Sequence, residues 1–251
     1  SSCAYHADLS AIEKTELEQK LIANDSKVLV ATIALGMGFD KPDLAFVIHY
    51  QRPASVVHYY QQVGRAGRAV DEAYGILLHG DEDERISEYF IRNAFPTREI
   101  ISNILNASKE SEEGLSTTEL QKAINVRYGK LEQALRYLSL ENPAPVEKLD
   151  RKWQATKTAD FYHVNEAKIE QITATRYAEQ QQMRDYMSHT ECLMSFLQNA
   201  LDDTDIQPCG KCANCKPINA LQTTGNHLLV EKAKVFLDRR HKLIKQRKFW
   251  S

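Results

Sequence analysis

The sequence predicts an α/β domain on a parallel sheet, then a smaller α+β domain, then a helical module carrying a metal-type cysteine cluster. Three observations lead there. Over residues 1–93, short β-branched apolar runs alternate with amphipathic stretches, as expected for strands buried between helices. Residues 94–160 read as three helices followed by two short strands flanking Asp150-Arg151. Residues 161–217 are helical in pattern and hold four of the five cysteines, and 218–251 end the chain in a basic stretch.

In the first part, strands are expected at 3–6, 27–32, 44–50 and 74–79. Ser10 followed by Glu13 forms a capping box that starts a helix, with Ile12, Leu17, Leu21 and Ile22 roughly on one face. A second helix is expected over 55–62. Asp81-Glu82-Asp83-Glu84 opens the helix that continues through Ile86, Tyr89 and Phe90, where acids complement the helix dipole. These acids are expected to be a solvated helix start rather than a magnesium site.

In the second part, 97–107 is helix-like, and Ser116 with Glu119 supplies another capping box for a helix ending at Ile124. Residues 128–140 form an amphipathic helix with Leu131, Leu135 and Leu138 inward. Pro143 and Pro145 break the chain before strands at 146–149 and 152–155, with Asp150-Arg151 as a hairpin turn. Three helices and a hairpin make the winged-helix pattern. Arg127, Lys130 and Arg136 on the last helix and Lys148, Arg151 and Lys152 on the wing are candidate phosphate contacts. A winged helix that binds only protein, its cations simply solvated, is the alternative.

The 251 residues suffice for two or three domains with their own cores, and a net charge of −2 demands no nucleic-acid partner. No eighteen-residue apolar run and no signal peptide occur, so a soluble protein without a membrane partner is expected. The cysteine usage suggests a metal in a reducing cytosol rather than disulfides.

The most informative segment is Gln61-Gln62-Val63-Gly64-Arg65-Ala66-Gly67-Arg68. Glycine lets the backbone approach an anion, and arginine offers a planar, permanently charged fork of donors. The pair is expected as a phosphate clamp in a crevice at the carboxyl ends of the parallel strands. Upstream, Val28-Leu29-Val30-Ala31-Thr32 ends in Gly36-x-Gly38, followed by Phe39-Asp40-Lys41-Pro42-Asp43.

Together these segments resemble the RecQ family of superfamily 2 DNA helicases. Residues 31–43 look like helicase motif V, 61–68 like motif VI, and Ala4-Tyr5-His6-Ala7 like the stretch around motif IV. Asp8, Gln62 and Ala69-Val70 depart from the family, which has glycine, glutamate and Asp-Gly there. The resemblance implies the C-terminal part of a 3′-to-5′ ATP-dependent DNA helicase, with 1–93 an incomplete RecA-like domain. Arg68 would be the arginine finger and Arg65 its assistant. Gly38, Asp40 and Gln61 would join both arginines around ATP and magnesium, and Thr32 and His6 would contact single-stranded DNA. No Gly-x-x-x-x-Gly-Lys-Ser/Thr loop occurs, so this chain alone is expected to be inactive, its first RecA-like domain lying elsewhere. DNA, single-stranded or at duplex junctions, is the expected partner of a monomer in the cytoplasm or bacterial nucleoid.

Cys192, in a helix-like stretch over 186–201, and Cys209, Cys212 and Cys215 have the spacing of four ligands to one tetrahedral ion. The spacing resembles the RecQ zinc-binding module and implies structural zinc; iron–sulfur ligation is the rival. In most RecQ enzymes the winged helix follows this module, whereas here the candidate precedes it. Cys3 is expected in the core, and His163, His189, His227 and His241 at the surface or in packing. The basic segment 228–250 is expected to form an amphipathic helix that either contacts DNA or leads into a further domain. A non-enzymatic winged-helix and zinc regulator, or an RNA-directed superfamily 2 remodelling factor, are the alternative functions.

Overall fold

The structure, a computed structural model, describes residues 2–33, 35, 39–221 and 225–238. Strand β1 (Ser2–Tyr5) pairs in parallel with β2 (Val28–Ala31), and helix α1 (Ala11–Ile22) joins them. The Ser10–Glu13 capping box starts α1 as expected. Strand β3 (Phe46–His49) pairs in parallel with β4 (Tyr74–Leu77) around helix α2 (Val56–Val63).

Asn24, before β2, donates from Nδ2 to Asp43 Oδ2, before β3, at 2.9 Å. Thr32 follows the carboxyl end of β2, and Tyr50 and Leu78 follow those of β3 and β4. The expected parallel sheet takes the form of two two-stranded parallel ladders among the described residues.

At the acidic start of helix α3 (Glu82–Arg92), Asp81, Glu82 and Glu84 are exposed as expected, and Asp83 is the correction. Asp83 is buried and accepts from the Gly80 N–H at 3.2 Å and the Arg52 N–H at 3.3 Å. Glu84 accepts from Arg52 Nη1 at 2.6 Å and Arg184 Nη1 at 3.2 Å. The Arg52 side chain is 2% exposed, and a charge so far from water must be paired to be tolerated. The pairing was invisible in the acidic run because Arg52 reaches it only when β3 and β4 align.

Helices α4 (Arg98–Glu110), α5 (Thr117–Ile124) and α6 (Tyr128–Ser139) enclose a core of Ile101, Ile104, Leu120, Leu131, Leu135, Leu138 and Val146. Strands β5 (Leu115–Ser116), β6 (Val146–Leu149) and β7 (Lys152–Ala155) form an antiparallel sheet in the order β5-β7-β6. Asp150 and Arg151 both adopt positive φ, at 44° and 74°. That is the primed two-residue turn whose twist suits a hairpin. The second capping box, Ser116 with Glu119, is also formed.

Helix α7 (Glu166–Met187) packs on α2 and α3. Its Tyr186 ring lies 5.2 Å from that of Tyr59, and Gln180 Nε2 donates to the Ala54 carbonyl at 2.9 Å. The sequence reading groups 161–217 together; in the structure the compact units divide after Met187, into Ser1–Met187 and Ser188–Ser251.

The second unit contains α8 (Leu193–Ala200) and α9 (His227–Asp238). The helix expected through 186–201 is interrupted, and Cys192 becomes the N-cap of α8 rather than an interior helical residue. A helix interior would bury the surroundings of the sulfur in its own turns, whereas the cap position opens it to the following loop. Of the expected basic helix, α9 is described as far as Asp238; Arg239, Arg240 and residues 245–248 lie outside the described residues. No helix among the described residues is long and apolar enough to cross a membrane.

Leu131 is fully buried, so Leu131→Ala should destabilise the first unit by about 2–5 kcal/mol. Chemical denaturation followed by circular dichroism measures this.

Candidate functional site

The site begins with the turn that ends α2. Gly64 caps the helix, and Gly67 takes φ 83°, a conformation that favours glycine. The turn is stitched to the segment before β3: the Gly67 N–H donates to Leu44 O at 3.0 Å, and the Ala69 N–H to Pro42 O at 2.8 Å. Arg65 and Arg68 are thereby brought onto residues 39–40. Arg65 Nη1 donates to the Phe39 carbonyl at 2.8 Å, and Arg68 Nη1 pairs with Asp40 Oδ1 at 2.7 Å.

This placement corrects the expected position of the clamp. A strand–helix–strand unit returns the chain to the edge where it started. The turn carrying both arginines therefore lies beside the amino ends of β3 and β4, not at their carboxyl ends. The Arg68 and Asp40 side chains are 49% and 57% exposed. A pair so accessible contributes at most about 1 kcal/mol, so Arg68 can exchange its carboxylate for a competing anion at small cost.

Gln61, on the last turn of α2, is exposed. Gly38 lies outside the described residues. Lys41, buried, is salt-bridged to Asp43. The Lys41 ammonium and the Asn24 amide hold the Asp43 carboxyl down at about 2. This triad fixes the base of the segment on which the arginines rest.

On the first ladder, the Thr32 N–H donates to Tyr5 O at 3.0 Å, which sets Thr32 beside His6 as the chain leaves β1 and β2. Asp8, one of the departures, approaches His6 Nδ1 at 3.8 Å. The six candidate phosphate contacts of the second domain do not form one patch. Lys148, Arg151 and Lys152 share the β6–β7 hairpin, with Lys148 5.5 Å over the Trp153 ring and Lys152 3.6 Å from Glu113. Lys130 instead donates to Asn93 Oδ1 at 2.8 Å. Arg127 is the N-cap of α6, whereas Arg136 lies in its last turn. Arg136 lines a cleft of about 370 Å³ with Phe95 and Tyr137.

The Sγ atoms of Cys192, Cys209, Cys212 and Cys215 all lie within 4.8 Å of one another. Tetrahedral ligation at about 2.3 Å needs sulfurs about 3.8 Å apart, so the cluster fits a single structural metal ion. Backbone N–H groups point at the sulfurs: Cys209 to Cys192 at 3.2 Å, Cys212 to Cys209 at 3.2 Å, and Cys215 to Cys212 at 3.4 Å. Gly210 turns the loop with φ 64°. Asn214 Nδ2 holds it by donating to His189 O and Glu191 O, both at 2.7 Å. Burial alone would push the Cys192 thiol up, but N–H donors from Cys209 and Ser195 outweigh it and bring it down to about 5. The Cys215 thiol is pushed up to about 12, chiefly by its hydrogen bond with Cys212. Four sulfurs this close cannot all ionise without a cation among them. Cys3 stays apart, accepting from Ser26 Oγ at 3.6 Å.

Sequence reasoning missed two elements here: the Arg52–Glu84–Arg184 group and the contact of Gln62 with His49. No local pattern marks the first, while the glutamine that departs from the family in motif VI was a signal for the second.

Residues 1–70 match the family model described as helicase conserved C-terminal domain. ATP-dependent DNA helicase Q1 of Pongo abelii is 50% identical over 80 residues, covering 32% of this chain and 12% of that protein. ATP-dependent DNA helicase RecQ of Synechocystis is 27% identical over 222 residues, covering 84% of this chain and 43% of that protein. Residues 1–70 are thus similar to the conserved C-terminal domain of helicases, and the longer matches are to RecQ-type DNA helicases. A putative ATP-dependent RNA helicase of Acanthamoeba polyphaga mimivirus is 45% identical over 87 residues, covering 35% of this chain and 16% of that protein. The chain thus spans less than half the length of these relatives. The match with RecQ of Synechocystis spans 222 residues and so extends well past residue 93, which fits the helicase reading rather than the regulatory alternative.

Two outcomes follow. Cys212→Ser should reduce bound metal from one ion per chain to nearly none, as read by elemental analysis. Asp43 has a folded pKa of about 2 against an ordinary 3.8, so its contribution is present above about pH 4 and is lost as pH falls toward 2. Acid titration of the native chain should show this step, and Asp43→Asn should remove it.

Proposed function

We propose that this chain is the C-terminal part of an ATP-dependent DNA helicase that moves 3′-to-5′ and unwinds duplex DNA. The observation that carries the reading is the folding of Arg65 and Arg68 onto residues 39–40, within the stretch that matches helicases. ATP with magnesium supplies the phosphoryl group and would lie between this region and a P-loop domain elsewhere in the whole protein. Arg68, released from Asp40, neutralises charge on that group, and Arg65 assists while anchored on the Phe39 carbonyl. Asp40, Gln61 and Gly38 complete the nucleotide side. Asp40 doubles as the resting partner of the finger, so it also sets how readily the finger is available.

His6 and Thr32, side by side after β1 and β2, contact single-stranded DNA. Helices α4–α6 with the β6–β7 hairpin act as a winged helix, whose Lys148, Arg151 and Lys152 touch the phosphates of a duplex junction. Arg127 fits such a contact better than Arg136 or Lys130, which face a cleft and a structural bond respectively. The four thiolates hold zinc, which is structural because protein fills every position, and its binding contributes to folding of the loop over 209–215. The protein works as a monomer on DNA in the cytoplasm or nucleoid.

In the intact protein, Arg68→Ala should lower turnover by roughly three to five orders of magnitude while ATP still binds. Steady-state ATPase with DNA and with RNA, together with nucleotide-binding titration, makes the test. Turnover within tenfold of native would remove the finger role, and stimulation by RNA alone would remove DNA as substrate. The chain by itself should release no phosphate.

A further inference from the structure

Gln62 lies in the last turn of α2, just before the turn that presents Arg65 and Arg68. Its Oε1 is 2.5 Å from Nε2 of His49, the final residue of β3. An amide oxygen can only accept, so His49 carries a proton on Nε2, and in the neutral ring Nδ1 is a bare lone pair. That Nδ1 is buried and has no hydrogen-bond partner. Charging the ring would place a second N–H there with nothing to receive it. Burial holds the imidazole below its ordinary range, while the bond to Gln62 pulls weakly the other way.

The groups packed around the ring are uncharged. Tyr59 of α2 has its ring centroid 5.1 Å away, and Tyr186 of α7 stands behind Tyr59 at 5.2 Å. On β4 the residue opposite His49 is the aliphatic Leu77. Among the described residues no carboxylate, ammonium or guanidinium is bonded to the ring.

We propose that Gln62 is a positioning residue: by accepting the His49 Nε2 proton it seats the end of α2, and with it Arg65 and Arg68, in a way that does not depend on pH. The proposal rests on the helicase reading only for its effect on turnover. A carboxylate at the same position would pair with an imidazolium and stabilise it. The seat would then be held by charge, strong when His49 is protonated and weaker when it is not. A glutamine gives up that strength and gains a bond that persists across the neutral range. The bond acts on the helix end itself, ahead of the Gly67 and Ala69 backbone bonds that hold the turn on the segment before β3.

The test has two arms. In the full chain, nitrogen-15 NMR of His49 should show the neutral Nε2–H tautomer and a titration below that of a free histidine. In Gln62→Glu the titration should move above it. An Nδ1–H tautomer, or a midpoint unmoved by Gln62→Glu, would overturn the proposal. In the intact protein, Gln62→Leu should lower kcat for DNA-stimulated ATP hydrolysis at least fivefold with KM for ATP within twofold. Gln62→Glu should restore it at acid pH and lose it as pH rises. Native kcat in Gln62→Leu would end the positioning role while leaving the helicase reading intact. Absence of any ATPase in the native protein would end the helicase reading, and the NMR arm would still decide how Gln62 and His49 interact.

Discussion

Everything proposed for nucleotide chemistry depends on one contact: the turn at the end of α2 lies across the segment that leads into β3. Two backbone hydrogen bonds, from Gly67 to Leu44 and from Ala69 to Pro42, make it. Only glycine takes the φ of 83° at Gly67 without strain. With the backbones locked, Arg65 and Arg68 reach Phe39 and Asp40 without searching. The buried Lys41, paired to Asp43, then keeps the underlying segment from sliding. Neither arginine would be preorganised if the turn were free, and preorganised donors are what stabilise developing charge.

The metal cluster follows a different logic. Its geometry comes from a helix N-cap and a short loop whose N–H groups converge on sulfur. Such donors lower the cost of gathering thiolates, but they cannot remove the repulsion among four of them. The uneven proton affinities of Cys192 and Cys215 follow from how these hydrogen bonds are shared among the sulfurs, and a divalent ion would relieve the repulsion.

Much of this was legible in the sequence because it is local. Both capping boxes, the Asp150-Arg151 turn, the leucine face of α6 and the Cys-x-x-Cys spacing are set by residues a few positions apart. What was not legible depends on elements meeting across the fold. The arginine turn was placed at the wrong edge of the strands because sequence gives the order of strand and helix but not the return of the chain. Asp83 read as solvated because the Arg52 N–H it accepts from lies outside its helix, and Glu84, though exposed as read, has an ion pair with Arg52 that no local pattern shows. The break before Cys192 falls on Ser188-His189-Thr190-Glu191, a polar run that a solvated helix turn could equally carry.

The course of the chain between the two candidate contacts has a mechanical consequence. His6 and Thr32 follow β1 and β2, whereas the arginine turn lies beside the amino ends of β3 and β4. The stretch of backbone after Thr32 leads without branching to Asp40, the residue that grips Arg68. The link between Thr32, the proposed polynucleotide contact, and Asp40, the partner of Arg68, is therefore covalent and only seven residues long.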